Sequence, residues 1–317
     1  MSTPGFSCRH AFSSALLEAA RRDASIIAIC SDSKGSVTLA GFEEALPQQF
    51  VEVGIAEQDA VGIGAGLAKS GKRVFVCGPA CFYSARSFEQ VKVDVAYAGS
   101  DVKVVGISGG VSYGALGSTH HSLHDLAAMR TLPGLAVFLP CDNYQTAALT
   151  RYLATHPGPA YMRLGRAPVA DVYGEHRPAE FHPGRAVLLH EGDACTLIAA
   201  GEMVQPALGA ALILEREGIG VRLLDAWSIK PLDAEAVVRA ARETGLVFTL
   251  EEHSVHGGLG AAVAEVLVQS CPVPVRLLGF PDEWAPAGSS AQLFEYYGFT
   301  PEKLAARVLQ ELHRKSK

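Results

Sequence analysis

The chain has 317 residues, 49% of them hydrophobic, with a net charge of -6 and a mean hydropathy of +0.18. That length suits about two globular domains, each with its own core, and without a long basic stripe nucleic acid is excluded as a partner. The apolar runs are too short for a bilayer and are broken by glycine or charge, so no membrane partner is expected.

Met1-Ser-Thr-Pro-Gly-Phe shows no basic segment followed by an apolar core, and no secretory signal is expected. The seven cysteines are scattered and none form Cys-x-x-Cys, which reads as reduced thiols in a cytoplasmic protein. Residues 11–22 have helical periodicity and 25–30 form an apolar strand run. Phe50-Val-Glu-Val-Gly-Ile-Ala-Glu57 reads as a short strand, a turn at Gly54 and the start of a helix rich in small residues. Strands are predicted at 74–77, 102–107 and 137–139, with helices at 88–98 and 123–132 between them. Continuous Val/Ile runs alternating with helices predict a parallel sheet covered on both faces. Residues 166–183 break the rhythm with Pro168, Pro178 and Pro183 and read as a linker. Strands at 195–200, 220–226, 246–250 and 273–279 then alternate with helices at 203–217, 233–244, 258–270 and 301–314. The expected fold class is α/β with two doubly wound domains: residues 1–170, a linker 171–184, and a smaller unit 185–317.

Glu57 falls where the turn enters its helix, among apolar or small residues, and the next basic residue along the chain is Lys69. Loss of water would favour its neutral form, able to share a proton near pH 7; an acid complementing the helix dipole is the plainer alternative. Gly62-x-Gly64-x-Gly66 lies inside the helix, not at a strand-to-helix turn, so close packing explains it better than a dinucleotide. Gly106-Ile-Ser108-Gly-Gly110 has the spacing of a nucleophile elbow but runs on into a loop, and lining a substrate cleft is the better reading. Thr119-His120-His121-Ser-Leu-His124 offers either a substrate-facing histidine at a loop-to-helix junction or, through His120 and His124, metal ligands, with no second ligand cluster in view. Cys81-Phe82-Tyr83 could be core or a stacking wall for a planar heterocycle, and alone reads as core. Gly257-Gly-Leu-Gly260 after Glu251-Glu252-His253 could bind an anion at a helix start, but close packing is preferred.

In order, Ser31-Asp32-Ser33, Val53-Gly-Ile-Ala-Glu57-Gln, Phe82-Tyr83, Gly117-Ser-Thr-His120-His, Met129-Arg-Thr-Leu-Pro133-Gly, Pro140-Cys-Asp142 and Gly158-Pro-Ala-Tyr-Met-Arg-Leu-Gly-Arg166 resemble the C-terminal half of the transketolase family. The resemblance spans nearly the whole chain; single motifs are modest and the ordered set is strong. It implies that Glu57 contacts N1′ of the aminopyrimidine of thiamine diphosphate and favours the imino tautomer that deprotonates thiazolium C2. It implies Tyr83 as the aromatic stacked on the pyrimidine with Phe82 beside it, and Asp32 and Ile55 as further cofactor neighbours. It implies His120, with His121 beside it, at the donor's hydroxyl, and Arg9, Ser36 and Arg166 around a sugar phosphate, where the arginine fork suits the anion. Leu116 stands where relatives read acceptor hydroxyls with an aspartate, and Ser108 where a histidine meets the acceptor phosphate, which opens the way to an unusual aldehyde. The Gly-Asp-Gly motif that holds the diphosphate and Mg²⁺ is absent from the sequence. The resemblance therefore implies a split enzyme: an N-terminal partner subunit supplies the diphosphate and metal site, no metal is ligated by this chain, and the assembly is an α2β2 heterotetramer containing a dimer of this chain. The expected activity is transfer of a two-carbon ketol unit from a ketose to an aldehyde. The alternatives are the β-subunit of a 2-oxo-acid dehydrogenase, a deoxyxylulose-phosphate-synthase-like enzyme, and a non-catalytic assembly module.

Overall fold

Among the described residues, twelve strands are interspersed with helices: β1 Ile26–Cys30, β2 Phe50–Glu52, β3 Arg73–Pro79, β4 Val102–Ile107, β5 Ala136–Phe138, β6 Ala160–Leu164, β7 Val187–His190, β8 Cys195–Ala199, β9 Val221–Asp225, β10 Ser228–Lys230, β11 Val247–Ser254 and β12 Val275–Phe280. This computed structural model describes residues 7–174, 178 and 180–315. The start of the chain, read for a signal, and 175–177 and 179 of the linker lie outside the described residues. Among the described residues no helix is long and apolar enough to cross a membrane.

The first sheet runs β10-β5-β6-β4-β3-β1-β2, parallel except for β10, which pairs antiparallel with β5. Every residue of β1, β4 and β6 is buried, as strands covered by helices on both faces must be, and this includes Lys103 of β4 and Arg163 of β6. The helices Cys8–Arg22 and Asn143–Thr155 pack together on one face, and Glu57–Lys69 packs against β3 on the other. Asp142 caps Asn143–Thr155 by accepting the Gln145 N–H at 2.8 Å. The second sheet runs β12-β11-β8-β9-β7, parallel except for β7 against β9. Both halves have the α/β architecture expected from the sequence.

Several limits differ. The helix predicted at 88–98 is a short Phe88–Gln90 turn followed by a π-helix, Val91–Tyr97. The strand predicted at 246–250 continues to Ser254 and carries Glu251, Glu252 and His253 inside it, all buried. The described part of 166–183 is well packed: Tyr173 and Phe181 are buried, and the Val172 N–H donates to Asp142 at 3.0 Å. The helix Asn143–Thr155 and strands β6, β7 and β10 had no predicted counterpart. The loops at the carboxyl ends of β4 and β6 meet the end of β11 and the turn after β8, Gly110 abutting Glu252 and Gly165 abutting Glu202, and carboxyl ends of strands are the usual place for a site in open α/β sheets.

Candidate active site

The turn after β2 is built around Glu52. Its Oε1 accepts the Asp32 N–H at 2.7 Å and the Gly54 N–H at 3.0 Å, tying the ends of β1 and β2 together. Asp32 and Gly54 both have positive φ, 52° and 71°, so the tie holds a backbone that resists relaxation. Glu57 opens the next helix and is only 6% exposed. Along the chain its neighbours are apolar or small, but the fold corrects the expectation of wholly apolar surroundings. Arg86, from the loop after β3, brings Nη1 to 3.0 Å from Glu57 Oε1. The same guanidinium lies 4.1 Å from the centre of the Phe82 ring.

From Phe82 an unbroken line of contacts crosses the mouth of the sheet. The Phe82 ring meets His120 edge-on at 5.3 Å, and His120 meets Tyr113 at 5.5 Å. Arg166 lies 5.2 Å over Tyr113. Arg9 donates to the Arg166 carbonyl at 3.2 Å and to the Ser36 carbonyl at 2.6 Å. Burial, and then the nearby Arg166, lower the Arg9 pKa. The line thus runs from a shielded carboxyl, over an aromatic face and a histidine, to two guanidiniums.

The other sequence candidates take different places. Tyr83 is fully buried, its OH 2.9 Å from Ser31 Oγ and its ring against Gly78, where a Cβ would overlap it. It packs in the core, while the half-exposed Phe82 beside it turns its ring outward. His121 is buried behind His120; its Nε2–H donates to the Gly114 carbonyl at 3.1 Å, and burial lowers its pKa. Asp32 and Ile55 flank the Glu57 turn, both exposed, Ile55 at 77%. Ser36 offers its backbone carbonyl to Arg9.

Ser108 is buried, with φ of 56°, and no helix follows it directly. His124 turns to Ser84 at 3.3 Å while His120 turns to Thr119 at 2.9 Å, so the two do not converge. Gly64 packs closely on Val76 and Val74, as expected, whereas Gly62 and Gly66 face open space. The Gly257–Gly260 helix start already holds a carboxyl of its own: Glu251 accepts the Leu259 and Gly260 N–H groups at 2.7 and 2.8 Å.

The second half closes the back of the site. Arg163, at the end of β6, meets Asp125 at 3.3 Å and donates to the Glu252 carbonyl at 2.5 Å. Asp125 accepts from Tyr161 OH at 2.7 Å, and Glu252 accepts the Val111 N–H at 2.8 Å. Gly109 and Gly110 admit these side chains, because a Cβ at either would overlap Arg163 or Glu252. Beside Phe82 and Arg86, the loop carrying Asp282, Glu283 and the 87% exposed Trp284 encloses a cavity of about 690 Å³. Arg86, Glu52, Arg163 and Glu252 were all missed from sequence. Only their positions in space, not their spacing, mark them.

Residues 5–170 match the transketolase pyrimidine-binding domain and 184–304 the transketolase C-terminal domain. The chain belongs to the transketolase family. It is 56% identical over 303 residues to one of the subunits of an apulose-4-phosphate transketolase from Phocaeicola vulgatus, covering 96% of each chain. It is 40% identical to a 6-deoxy-6-sulfo-D-fructose transketolase subunit from a Clostridium species, covering 95% of this chain and 93% of that one. Among solved structures it is similar to a split-gene transketolase described as an inactive β4 tetramer, with a TM-score of 0.89, 39% identity and coverage of 98% and 99%. This chain is accordingly a C-terminal subunit of a split transketolase, a transferase that works with an N-terminal partner. Transketolase membership implies thiamine diphosphate. The residues fit its planar, amino-bearing pyrimidine end, because the planar, N–H-donating Arg86 guanidinium already donates to Glu57 and lies over Phe82.

Proposed function

We propose that this subunit, joined to its N-terminal partner, transfers a two-carbon ketol unit from a ketose with an anionic end to an aldehyde, with apulose 4-phosphate as the first donor to test. The contact line from Glu57 through Phe82 and His120 to Arg166 and Arg9 supports this reading above all. The two relatives' names pair a phosphate with a sulfonate, and both groups suit a paired-guanidinium cradle.

When bound, thiamine diphosphate supplies a carbon nucleophile. Glu57 holds or returns a proton at its carboxyl, protected from water. Phe82 and Ile55 offer apolar surface to the ring, and Asp32 keeps the turn closed through Glu52. Arg86 has to leave Glu57 and Phe82 as the ring arrives. His120, with Nδ1 tied to Thr119, keeps Nε2 for a substrate hydroxyl, and His121 braces the Gly114 turn beneath it. Arg9 and Arg166 grip the anion and Ser36 orients Arg9. The exposed Leu116 leaves the acceptor side apolar, which favours a sparsely hydroxylated aldehyde.

The partner subunit holds the diphosphate and Mg²⁺ in an α2β2 assembly. A second copy of this chain packs on the face where Gly62, Ile63, Val93 and Tyr97 are exposed, Tyr97 at 89%. The domain limits 1–170 and 185–317 and a cytoplasmic location complete the reading, in keeping with seven free cysteines. The test mixes both subunits with thiamine diphosphate, Mg²⁺, apulose 4-phosphate and a short aldehyde, and follows ketol transfer. Transfer lost in Glu57→Ala supports the reading; no transfer with any phosphorylated or sulfonated ketose overturns it.

A further inference from the structure

Behind the Arg9–Arg166 cradle lies a carboxyl that this mechanism does not use. Glu202 sits in the turn Gly201–Met203 after β8, and its Oε1 is buried without a hydrogen-bond partner. It presses on Gly165, next to Arg166, where a Cβ would overlap the carboxyl. Arg9 Nε is likewise buried and unpartnered. Cys8 and Arg9 face Glu202 from the helix Cys8–Arg22, Arg163 faces it from β6 and Glu252 from β11. Arg163 is already committed to Asp125 and Glu252, and burial pushes the Cys8 thiol far up, keeping it neutral. Burial, and then the neighbouring Glu252, hold the Glu202 pKa well above the ordinary glutamate range.

We propose that Glu202 is a positioning residue of the second half that sets the charge of the Arg9–Arg166 cradle and so makes its grip on a phosphate or sulfonate proton-dependent. Neutral, it leaves both guanidiniums their full charge for the anion. Ionised, it cancels part of that charge through Arg9. Linkage requires the converse: a bound anion keeps the proton on Glu202, by the same factor. Affinity is therefore highest at low pH and falls as pH rises through the titration of Glu202. The proposal rests on Arg9 and Arg166 being the anion site.

Sulfate is the probe, because it keeps both charges across the range. In the assembled two-subunit enzyme, its Ki against the phosphorylated ketose is measured from neutral to alkaline pH. The wild type should weaken by roughly fivefold or more. Glu202→Gln should hold the tight value at every pH, and Arg166→Ala should raise Ki throughout. An unchanged Ki in Arg166→Ala overturns the cradle itself. A weaker Ki in Arg166→Ala, together with a wild-type pH slope in Glu202→Gln, leaves the cradle standing and overturns the role of Glu202. Should the glutamine variant not assemble, calorimetry of sulfate binding to the wild type in buffers of different ionisation enthalpy decides. Proton uptake at mildly alkaline pH is expected, and its absence refutes the proposal.

Discussion

Replacing Arg86 by alanine should make the assembled enzyme bind its cofactor more tightly. In the chain alone the guanidinium occupies the two features proposed to receive the ring, Glu57 at 3.0 Å and the Phe82 face at 4.1 Å. The Arg86 side chain is 52% exposed against 7% for Glu57, so the pair is worth about 1 kcal/mol after solvent screening. The contact with Phe82 adds about 0.5–1 kcal/mol. A ring that takes both places must overcome about 1.5–2 kcal/mol, or roughly 10–30-fold in half-saturating concentration. Arg86→Ala removes that competition; Arg86→Lys keeps the charge but loses the flat stacking surface, and should fall between. Calorimetric titration of thiamine diphosphate into the two-subunit complex reads the difference without turnover. Unchanged or weaker binding in Arg86→Ala would show that the guanidinium does not contest the ring and would refute this reasoning.

Glu57→Gln keeps the shape but cannot give up a proton, and kcat should fall roughly 10²–10⁴-fold with cofactor still bound, as measured by single-turnover kinetics on the complex. Gly165→Ala forces a methyl into the Glu202 carboxyl and should cost about 1–3 kcal/mol of stability, read by thermal melting. Burial raises Asp225 from 3.8 to about 7, so its stabilisation is complete below 3.8 and is lost as pH rises through about 7. The melting temperature of the wild type should therefore drop more between mildly acidic and mildly alkaline pH than that of Asp225→Asn; equal slopes would contradict this. Ile63→Lys combined with Tyr97→Asp should lower the mass of the subunit in analytical ultracentrifugation if their exposed face carries self-association.

Strands β1, β3, β4, β8 and β11 were legible because buried parallel strands are rich in Val, Ile, Leu and Phe, and those residues carry the signal locally even where Lys103 or Thr196 interrupts them. The helix Asn143–Thr155 was not, since Asn143, Gln145, Thr146 and Thr150 give it a polar reading that only burial against neighbouring helices explains. Strands β7 and β10 are short edge strands fixed by pairing partners far along the chain. The candidate site shows the same division. Glu57, His120, Arg9 and Arg166 stand out through ordered motifs, whereas Arg86 acquires its meaning only when the loop after β3 folds back on Glu57. Tyr83 and Phe82 are adjacent in sequence and opposite in environment, and no spacing rule tells which of two neighbours the backbone turns inward.

Strand β10 comes from the second half yet completes the first sheet, lying antiparallel on β5, with the Leu139 N–H donating to the Trp227 carbonyl at 2.7 Å. Cutting the polypeptide between its halves would strip that cover and leave β5 as a bare, sticky border open to foreign chains. The two halves are therefore mortised into one inseparable block. A chain built on this plan resists division between its two sheets, so gene fission at that boundary is penalised.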